Sequence, residues 1–353
     1  MEARTPRFDP KRILIILHGS IGDVTRALPL ASMLRKAFPR AFLAWSVEPA
    51  AFSVLLGNGA IDEIVLFDRG HWRKTWRPFL ARIRAGRFDL VLDLQRHLKS
   101  GIISRWSGAP HRLGFHRRDS KEGNWLFNNH HIPRCGDEIA KLEHYLKFID
   151  YLGIPREPVE WQFNLNADER ANVERRLSAV NRAFAVLFVG SRWESKQWFP
   201  AQMAQCAEQL RREHGLDVVL LGGQEDQELA REVETLVAAV TNLVGRTTLR
   251  EAIGIIQRAK LAIGADTGLM HIAAAVRTPV ISLWGATSPQ RTGPYGFGHL
   301  VLQGQAPCVP CYRRTCSIDR ICLRSITSEQ IGAKIDLALR GSPILAAAHA
   351  SRD

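Results

Sequence analysis

No stretch of the 353 residues approaches the run of roughly 18 apolar positions that a membrane-spanning helix needs. The opening MEARTPRFDPKR is polar and leads straight into an apolar, strand-like run, so it does not read as a secretory signal. A cytoplasmic protein, at most peripheral to a membrane, is the expectation. Helix-turn-helix, zinc-finger and RNA-recognition signatures are all lacking, which argues against nucleic acid as a partner. So is the G-x-G-x-x-G turn of a nicotinamide dehydrogenase. The first glycine turn, Gly19 to Gly22, is G-x-x-G, and only Glu48 stands near the expected ribose-binding position. No Asp-x-Asp follows a strand, which disfavours a metal-dependent transferase. Cysteine is scarce at six residues, and four of these crowd into CVPCYRRTCSIDRIC as Cys308, Cys311, Cys316 and Cys322. In a cytosolic chain such a cluster suggests a structural metal or redox chemistry more than disulfides. Only Cys308 and Cys311 have the C-x2-C spacing of a zinc knuckle, so four reduced thiols in a surface loop is an equal alternative.

What is present is apolar and basic. A hydrophobic fraction of 46% with 24% charged residues suits a globular chain, and the length suggests about two domains. The formal net charge is +13, which points to an anionic partner: nucleic acid, an anionic membrane face or a phosphorylated substrate. Lys and Arg heavily outnumber Asp and Glu between Arg69 and Lys121, with Trp72, Trp76, Phe79, Trp106 and Phe115 interleaved. A solvated basic face explains the charge alone equally well.

The chain alternates short apolar runs with helical spacing. RILIILHG, AFLAWSVEP, IDEIVLFD and FDLVLDLQ read as strands of the first half. Helices are expected from Asp23, over Arg73 to Ala85, after Leu98, and over Asp137 to Leu152. The mixed segment GIPREPVEWQFNLNADE then begins a linker. The pattern restarts with strands AFAVLFVGS, LDVVLLGG, KLAIGAD and PVISLWG. Helices are expected over Ala201 to His214, Gln227 to Val240 and Ser328 to Leu339. Two α/β domains with doubly wound parallel sheets follow: 1–160, a linker at 161–180, 181–341 with the Cys-rich segment at 308–322, and a frayed tail at 342–353. Ligands of such sheets sit beyond the carboxyl ends of the strands, and a cleft between two such domains is the expected place for a substrate.

Three glycine turns lie at such ends. GADTGLMH puts Asp266, Thr267 and Gly268 at a helix start, where unpaired N–H groups and the helix dipole favour phosphate. His271 follows one turn beyond Thr267 on the same face. The alternative is that Asp266 or Thr267 only caps the helix. In GSRWESKQWFP, Lys196 is placed to reach a phosphate, and Trp193 and Trp198 either stack on a base or fill the core. In GSIGDV, Asp23 is either an ordinary first-turn carboxylate or a base.

Several motifs in order make the chain resemble the ADP-heptose:lipopolysaccharide heptosyltransferases of glycosyltransferase family 9. They are GSIGDVTRALP, LVLDLQRHLKSGIISRWSGAPHRLGF, GSRWESKQWFP, NLVGRTTLREAIGIIQRAKLAIGADTGLMHIAAA and PVISLWGATSPQRTGPYG. The resemblance spans Ile13 to about Leu339 and implies the GT-B fold, two Rossmann-like domains facing a cleft. It implies an inverting, metal-independent transfer of a heptose from an ADP-sugar, with no cofactor for catalysis. Asp23 takes the family's catalytic position and Lys196 its phosphate-contacting position. Asp266, Thr267, Gly268 and His271 match its Asp-Thr-Gly-x-x-His motif, with Asp266 expected on the donor sugar hydroxyls. Ser191 is expected with the donor, and Gly22, Gln95, Lys99, Arg117 and Arg118 on the acceptor side. His18 and Ser20 occupy turn positions that vary within the family, and Leu269 stands where some members carry Pro. The implied partners are ADP-heptose, a lipid A–inner core acceptor and the anionic inner face of the cytoplasmic membrane, with no nucleic acid. The competing readings are a different nucleotide-sugar or acceptor on the same scaffold, and a non-catalytic binder of anionic polymers or lipid.

Overall fold

The apolar run that opens the chain forms β1 (Arg12–Ile16), and Ile13 to Ile16 are buried on both faces of the strand. Burial on two faces is why the run is continuous rather than alternating. This computed structural model describes residues 8–136 and 138–340. After β1 come α1 (Ile21–Ala37), β2 (Phe42–Val47), α2 (Pro49–Leu55), β3 (Glu63–Leu66) and α3 (Trp72–Ala85). Next are β4 (Leu90–Asp93), α4 (Leu98–Trp106), β5 (His111–Gly114), a 3₁₀ turn over Asn124–Phe127, β6 (His130–His131) and α5 (Lys141–Leu152). The chain divides into two units between Asn164 and Leu165. The second contains α6 (Ala167–Arg176), β7 (Phe184–Phe188), a 3₁₀ turn over Glu194–Lys196, α7 (Pro200–His214), β8 (Asp217–Leu221) and α8 (Gln227–Leu236). It continues with β9 (Val240–Asn242), α9 (Leu249–Arg258), β10 (Leu261–Ala265), α10 (Gly268–Ala275) and β11 (Val280–Trp284). α11 (Pro289–Thr292), β12 (Val301–Gln303), α12 (Ile321–Arg324) and α13 (Ser328–Leu339) complete it.

Each unit holds one six-stranded sheet, ordered β3-β2-β1-β4-β5-β6 in the first and β12-β11-β10-β7-β8-β9 in the second. All pairings are parallel. Numbered within its own unit, the second order is the first one read from the other edge, and both are the Rossmann order. Ile15 faces Trp45 of β2 and Leu92 of β4, while Ile263 of β10 faces Ile281 of β11 and Leu187 of β7. The doubly wound expectation therefore holds for both units. In each, the strand order reverses at one place: between β1 and β4, and between β7 and β10. Crossover connections leave in opposite directions there, so a crevice opens beyond the strand ends.

Some boundaries differ from expectation. Residues 161–180, read as linker, contain α6, which packs on α9 of the second unit. Its start is a capping box, with Asn166 accepting from Glu169 N and Glu169 accepting from Asn166 N. The helix expected over Gln227 to Val240 stops at Leu236, and Ala239 adopts φ +61 before Val240 begins β9. The helix expected from Asp137 begins at Lys141, and position 137 lies outside the described residues. The tail expected at 342–353 also lies outside them. No helix of the described residues is long and apolar enough to cross a membrane.

Candidate functional site

The reversal point of the first sheet holds a pocket of about 120 Å3. Its lining comes from the turn after β1 (Gly19, Asp23), the end of β4 (Gln95, Arg96) and one face of α5 (Lys141, Tyr145). Asp23 has two connected roles. It closes the capping box of α1: Ser20 Oγ donates to its Oδ2 at 2.9 Å, and Ser20 N donates to the same oxygen at 3.2 Å. Its other oxygen, Oδ1, meets Arg26 Nη2 at 2.8 Å and Lys141 Nζ at 3.8 Å. Burial would raise its pKa, but Lys141, Arg26 and the Ser20 bonds outweigh burial and hold the carboxyl well below the usual carboxylate range. The side chain is still 26% exposed, so the carboxylate faces the pocket while tied from behind. Gly19 makes this placement possible, because a Cβ there would stand 2.6 Å from Asp23 Cβ.

Gln95 Oε1 accepts from His18 N at 2.6 Å, which fixes the Gln95 amide across the reversal point. His18 is buried, bonds through Nε2 to Ser46 Oγ at 2.8 Å and stacks on Phe67. Burial, with help from Lys99, lowers its pKa to about 3, so it stays neutral at physiological pH. Asp93, at the end of β4, is fully buried and takes Asn124 Nδ2 at 2.6 Å, Asn128 Nδ2 at 3.2 Å and Gln95 N at 3.1 Å. Burial pushes its pKa up against these bonds.

The other expected acceptor-side residues do not line this pocket. Gly22 is buried within α1. Lys99 is held by Glu48 at 2.7 Å and lies over Phe67, and Arg117 and Arg118 are exposed after β5; none of the three lines the pocket. Sequence reasoning missed Arg26, Lys141 and Tyr145. Arg26 was findable as the i+3 partner of Asp23 on a helix. Lys141 and Tyr145 reach the pocket only because α5 packs on α1, which no local pattern announces.

The reversal point of the second sheet brings together the two motifs expected to hold the donor. Lys196 Nζ donates to Asp266 Oδ2 at 2.6 Å, and Thr287 Oγ1 donates to the same oxygen at 2.7 Å. Ser191 Oγ donates to the Asp266 carbonyl at 3.0 Å, tying the loop after β7 to the end of β10. The Lys196 ammonium also lies 4.2 Å over the Trp193 ring, and Trp198 is core. Thr267 is the N-cap of α10 but its side chain makes no cap bond, and the Asp266 carboxylate goes to Lys196 and Thr287. The capping alternative fails for both residues. The first turn of α10 keeps N–H groups with no side-chain cap, beside a lysine. His271 is buried one turn further on.

The Cys-rich segment is built into this site. Ser195 N donates to Arg314 O at 3.1 Å and Ser195 Oγ to Arg313 O at 2.5 Å. Cys316 N donates to Glu194 Oε2 at 2.8 Å. Arg320 pairs with Glu194 at 3.2 Å, donates to Gln197 O at 3.1 Å and lies over Phe199. These bonds bracket Lys196 on both sides. Cys308 is exposed, Cys311 and Cys316 are half-buried and Cys322 is buried. Among the described residues, no three His, Cys, Asp or Glu side chains gather closely enough to hold a metal ion.

Two Rossmann-like units, one presenting a carboxylate and the other a helix start beside a lysine, have the architecture of a GT-B glycosyltransferase. The model of glycosyltransferase family 9 (heptosyltransferase) matches residues 76–322. The chain belongs to that family and is a glycosyltransferase. It is 27% identical to the lipopolysaccharide core heptosyltransferase OpsX of Haemophilus influenzae over 294 residues, 81% of this chain and 82% of that one. It is also 27% identical to lipopolysaccharide heptosyltransferase 1 of Pseudomonas aeruginosa over 320 residues, 87% of each chain. The solved structure of the E. coli ADP-heptose lps heptosyltransferase II shares the fold, with TM-score 0.75, 23% identity, and 93% and 98% of the two chains covered.

Gly19→Ala is expected to push Asp23 from its place and lower turnover by about a hundredfold, with the melting temperature reduced only modestly. Steady-state rates beside thermal melts check this. Arg320→Ala should raise the donor KM more than it lowers kcat, because it loosens the Lys196 loop without touching the acceptor pocket. Arg320→Lys keeps the charge on Glu194 and should recover part of the donor affinity.

Proposed function

We propose that this glycosyltransferase moves a heptose from ADP-L-glycero-D-manno-heptose to the lipopolysaccharide inner core, with inversion at the anomeric carbon. The observation that carries the reading is the meeting of Lys196, Ser191, Asp266 and the start of α10 at the reversal point of the second sheet. A diphosphate laid on the uncapped N–H groups of Thr267 and Gly268 would have Lys196 as its counter-charge. Asp266 then serves first to orient that lysine, since the two are already paired. Its remaining oxygen is the one left for sugar hydroxyls. Kinship with the lipopolysaccharide heptosyltransferases of H. influenzae and P. aeruginosa supports the acceptor. The fold shared with the E. coli ADP-heptose enzyme supports the donor.

In the proposed reaction an acceptor hydroxyl attacks the anomeric carbon from the face opposite ADP. The bond from that carbon to the diphosphate oxygen breaks, the sugar passes through an oxocarbenium-like state, and ADP leaves. Lys196 and the helix start offset the charge that develops on the diphosphate. Asp23 takes the hydroxyl proton. Two neighbouring cations make Asp23 a weak base that is always ionised. Such a base suffices when the proton leaves late, after the attacking oxygen has begun to bond to carbon and has become acidic. The cations on the chain carry the diphosphate charge, so the reaction is expected to run in EDTA.

Asp23→Asn preserves shape and an acceptor for the capping box but removes the base. Turnover should fall by about a hundred- to ten-thousandfold while ADP binding holds, and the melting temperature should drop because Arg26 and Lys141 lose their counter-charge. Equal turnover in that variant would leave Asp23 only its role as a cap. Because its folded pKa lies below the ordinary 3.8, the Asp23 carboxylate stays ionised as pH falls to that value. Any acid limb above it therefore belongs to another group and should persist unshifted in the residual activity of Asp23→Asn. Lys196→Ala should weaken ADP binding and turnover together. The deciding assay is ADP release from the ADP-heptose with and without deacylated lipid A–Kdo, in EDTA. Acceptor-dependent release supports donor and reaction class together. ADP binding without release moves the doubt to the acceptor, and no ADP binding overturns the nucleotide reading.

A further inference from the structure

The first unit carries a surface that the sugar-transfer chemistry does not use. On α4, Leu98, Ile102 and Trp106 recur every four residues and are 40%, 37% and 52% exposed, while Gly101, Ile103 and Ser104 face inward. The spacing makes the three one stripe along the helix. Against one side of α4 lies the 3₁₀ turn Asn124–Phe127, close enough that a Cβ on Gly101 would stand 3.0 Å from Phe127 Cδ2. That turn exposes Trp125 and Leu126, the latter at 65%. Its position is fixed, since Asn124 Nδ2 donates to Asp93 and to His97 O. Against the other side lies α3, whose Arg84 donates to Trp106 O at 3.4 Å and whose first residue, Trp72, is exposed. Trp72, Trp106 and Trp125 are the exposed tryptophans among the described residues, and all three stand on these adjoining elements.

The charge on the same elements has one sign. α3 carries Arg73, Lys74, Arg77, Arg82 and Arg84 and no acid. Glu63 takes Arg82 at 2.6 Å. Arg73, Lys74, Arg77 and Arg105 make no ion pair among the described residues. The nearby acids are already engaged: Glu122 caps the start of α4 at Leu98 N beside His97, and Asp68 bonds His71.

We propose that this face, the α4 stripe with the Asn124–Phe127 turn and the basic α3, docks the enzyme on the surface of a bilayer containing anionic phospholipid. Cations and exposed tryptophans side by side fit the headgroup layer, where indole has its apolar body buried and its N–H wet. Leu98, Ile102 and Leu126 fit the acyl boundary just beneath, and no helix of the described residues is built to go further. A nucleic acid would use the cations and the tryptophans but offers nothing apolar to three aliphatic side chains. The inference stands on this surface alone and does not depend on which sugar is transferred.

The test is co-sedimentation of the full chain with vesicles of phosphatidylcholine alone or mixed with phosphatidylglycerol. Binding is expected only to the mixed vesicles, with a blue shift of tryptophan emission and weakening as salt rises. The paired changes Trp106→Glu and Leu126→Glu, and separately Arg73→Glu and Arg77→Glu, should each lower partitioning by about tenfold or more. All four positions are exposed, so melting temperature and ADP release on a soluble, deacylated acceptor should match the unaltered enzyme. That activity readout separates a failure of docking from a failure of the sugar-transfer reading. The proposal is overturned by no binding to mixed vesicles, or by variants that bind as the unaltered chain does. A dimer that Trp106→Glu dissociates, or displacement from vesicles by polyuridylate at trace concentration, would equally overturn it by assigning the face to another occupant.

Discussion

Everything that bears on chemistry here depends on one topological constraint, the reversal of strand order in a parallel sheet. Right-handed crossovers force the connections from β1 and β4 to opposite faces, and likewise those from β7 and β10. No backbone then covers the strand ends, and whatever side chains the two following turns carry must meet in the gap. In the first unit those turns deliver Asp23 and Gln95; in the second they deliver Ser191, Lys196 and Asp266. Residues some 70 positions apart in sequence come within hydrogen-bond reach at both places, Lys196 with Asp266 and His18 with Gln95. The two units repeat one solution with different chemistry placed on it.

The charges at these points are arranged so that none is left uncompensated, and this limits what each can do. A carboxylate in a half-buried crevice would normally drift toward protonation, which would make it a stronger base but an empty one at times. Arg26 and Lys141 reverse that drift at Asp23. The result is a carboxylate that stays ionised in a half-buried place, held there by two cations rather than by solvent. In the second unit the same logic works with opposite sign. Lys196 is held by Asp266 and the Trp193 face, so the orientation of this cation is already fixed.

Those parts of the fold whose signal is local were legible in sequence. The buried strands read as continuous apolar runs, and Ser328–Leu339 is marked to the residue because an S/T-x-x-Q box opens it. α6 was not legible. Its ten residues, ADERANVERR, bury only Val173, so a helix that is mostly solvated looks like linker until its contact with α9 is seen. The end of α8 was not legible, because Val240 continues an apolar helical spacing that Ala239, in a left-handed conformation, interrupts. At the two reversal points, the positions of motif residues that follow strands were legible, since a strand end is a local feature. Lys141 and Tyr145 were not, since helix-on-helix packing places them. Lys99, Arg117 and Arg118, which the resemblance implied on the acceptor side, do not line the pocket, and their placement is set by packing that no local pattern shows.

Asp93 connects these levels. It is a buried carboxyl held by two asparagine side chains and one backbone N–H, and its bonding partners are all neutral. Burying such a group is costly unless its hydrogen bonds are complete. Its contribution is specificity of position: one oxygen, through Asn124 and Asn128, fixes the turn that exposes Trp125 and Leu126, while the other orients the backbone of Gln95 at the pocket. The outward apolar face and the inward pocket are thereby anchored to a single side chain at the end of β4. A surface that met a bilayer through that turn would hold the pocket at a fixed depth relative to the headgroups. For a lipid-borne acceptor, whose sugar stands a set distance from the membrane plane, depth is as much a part of substrate recognition as any contact inside the pocket.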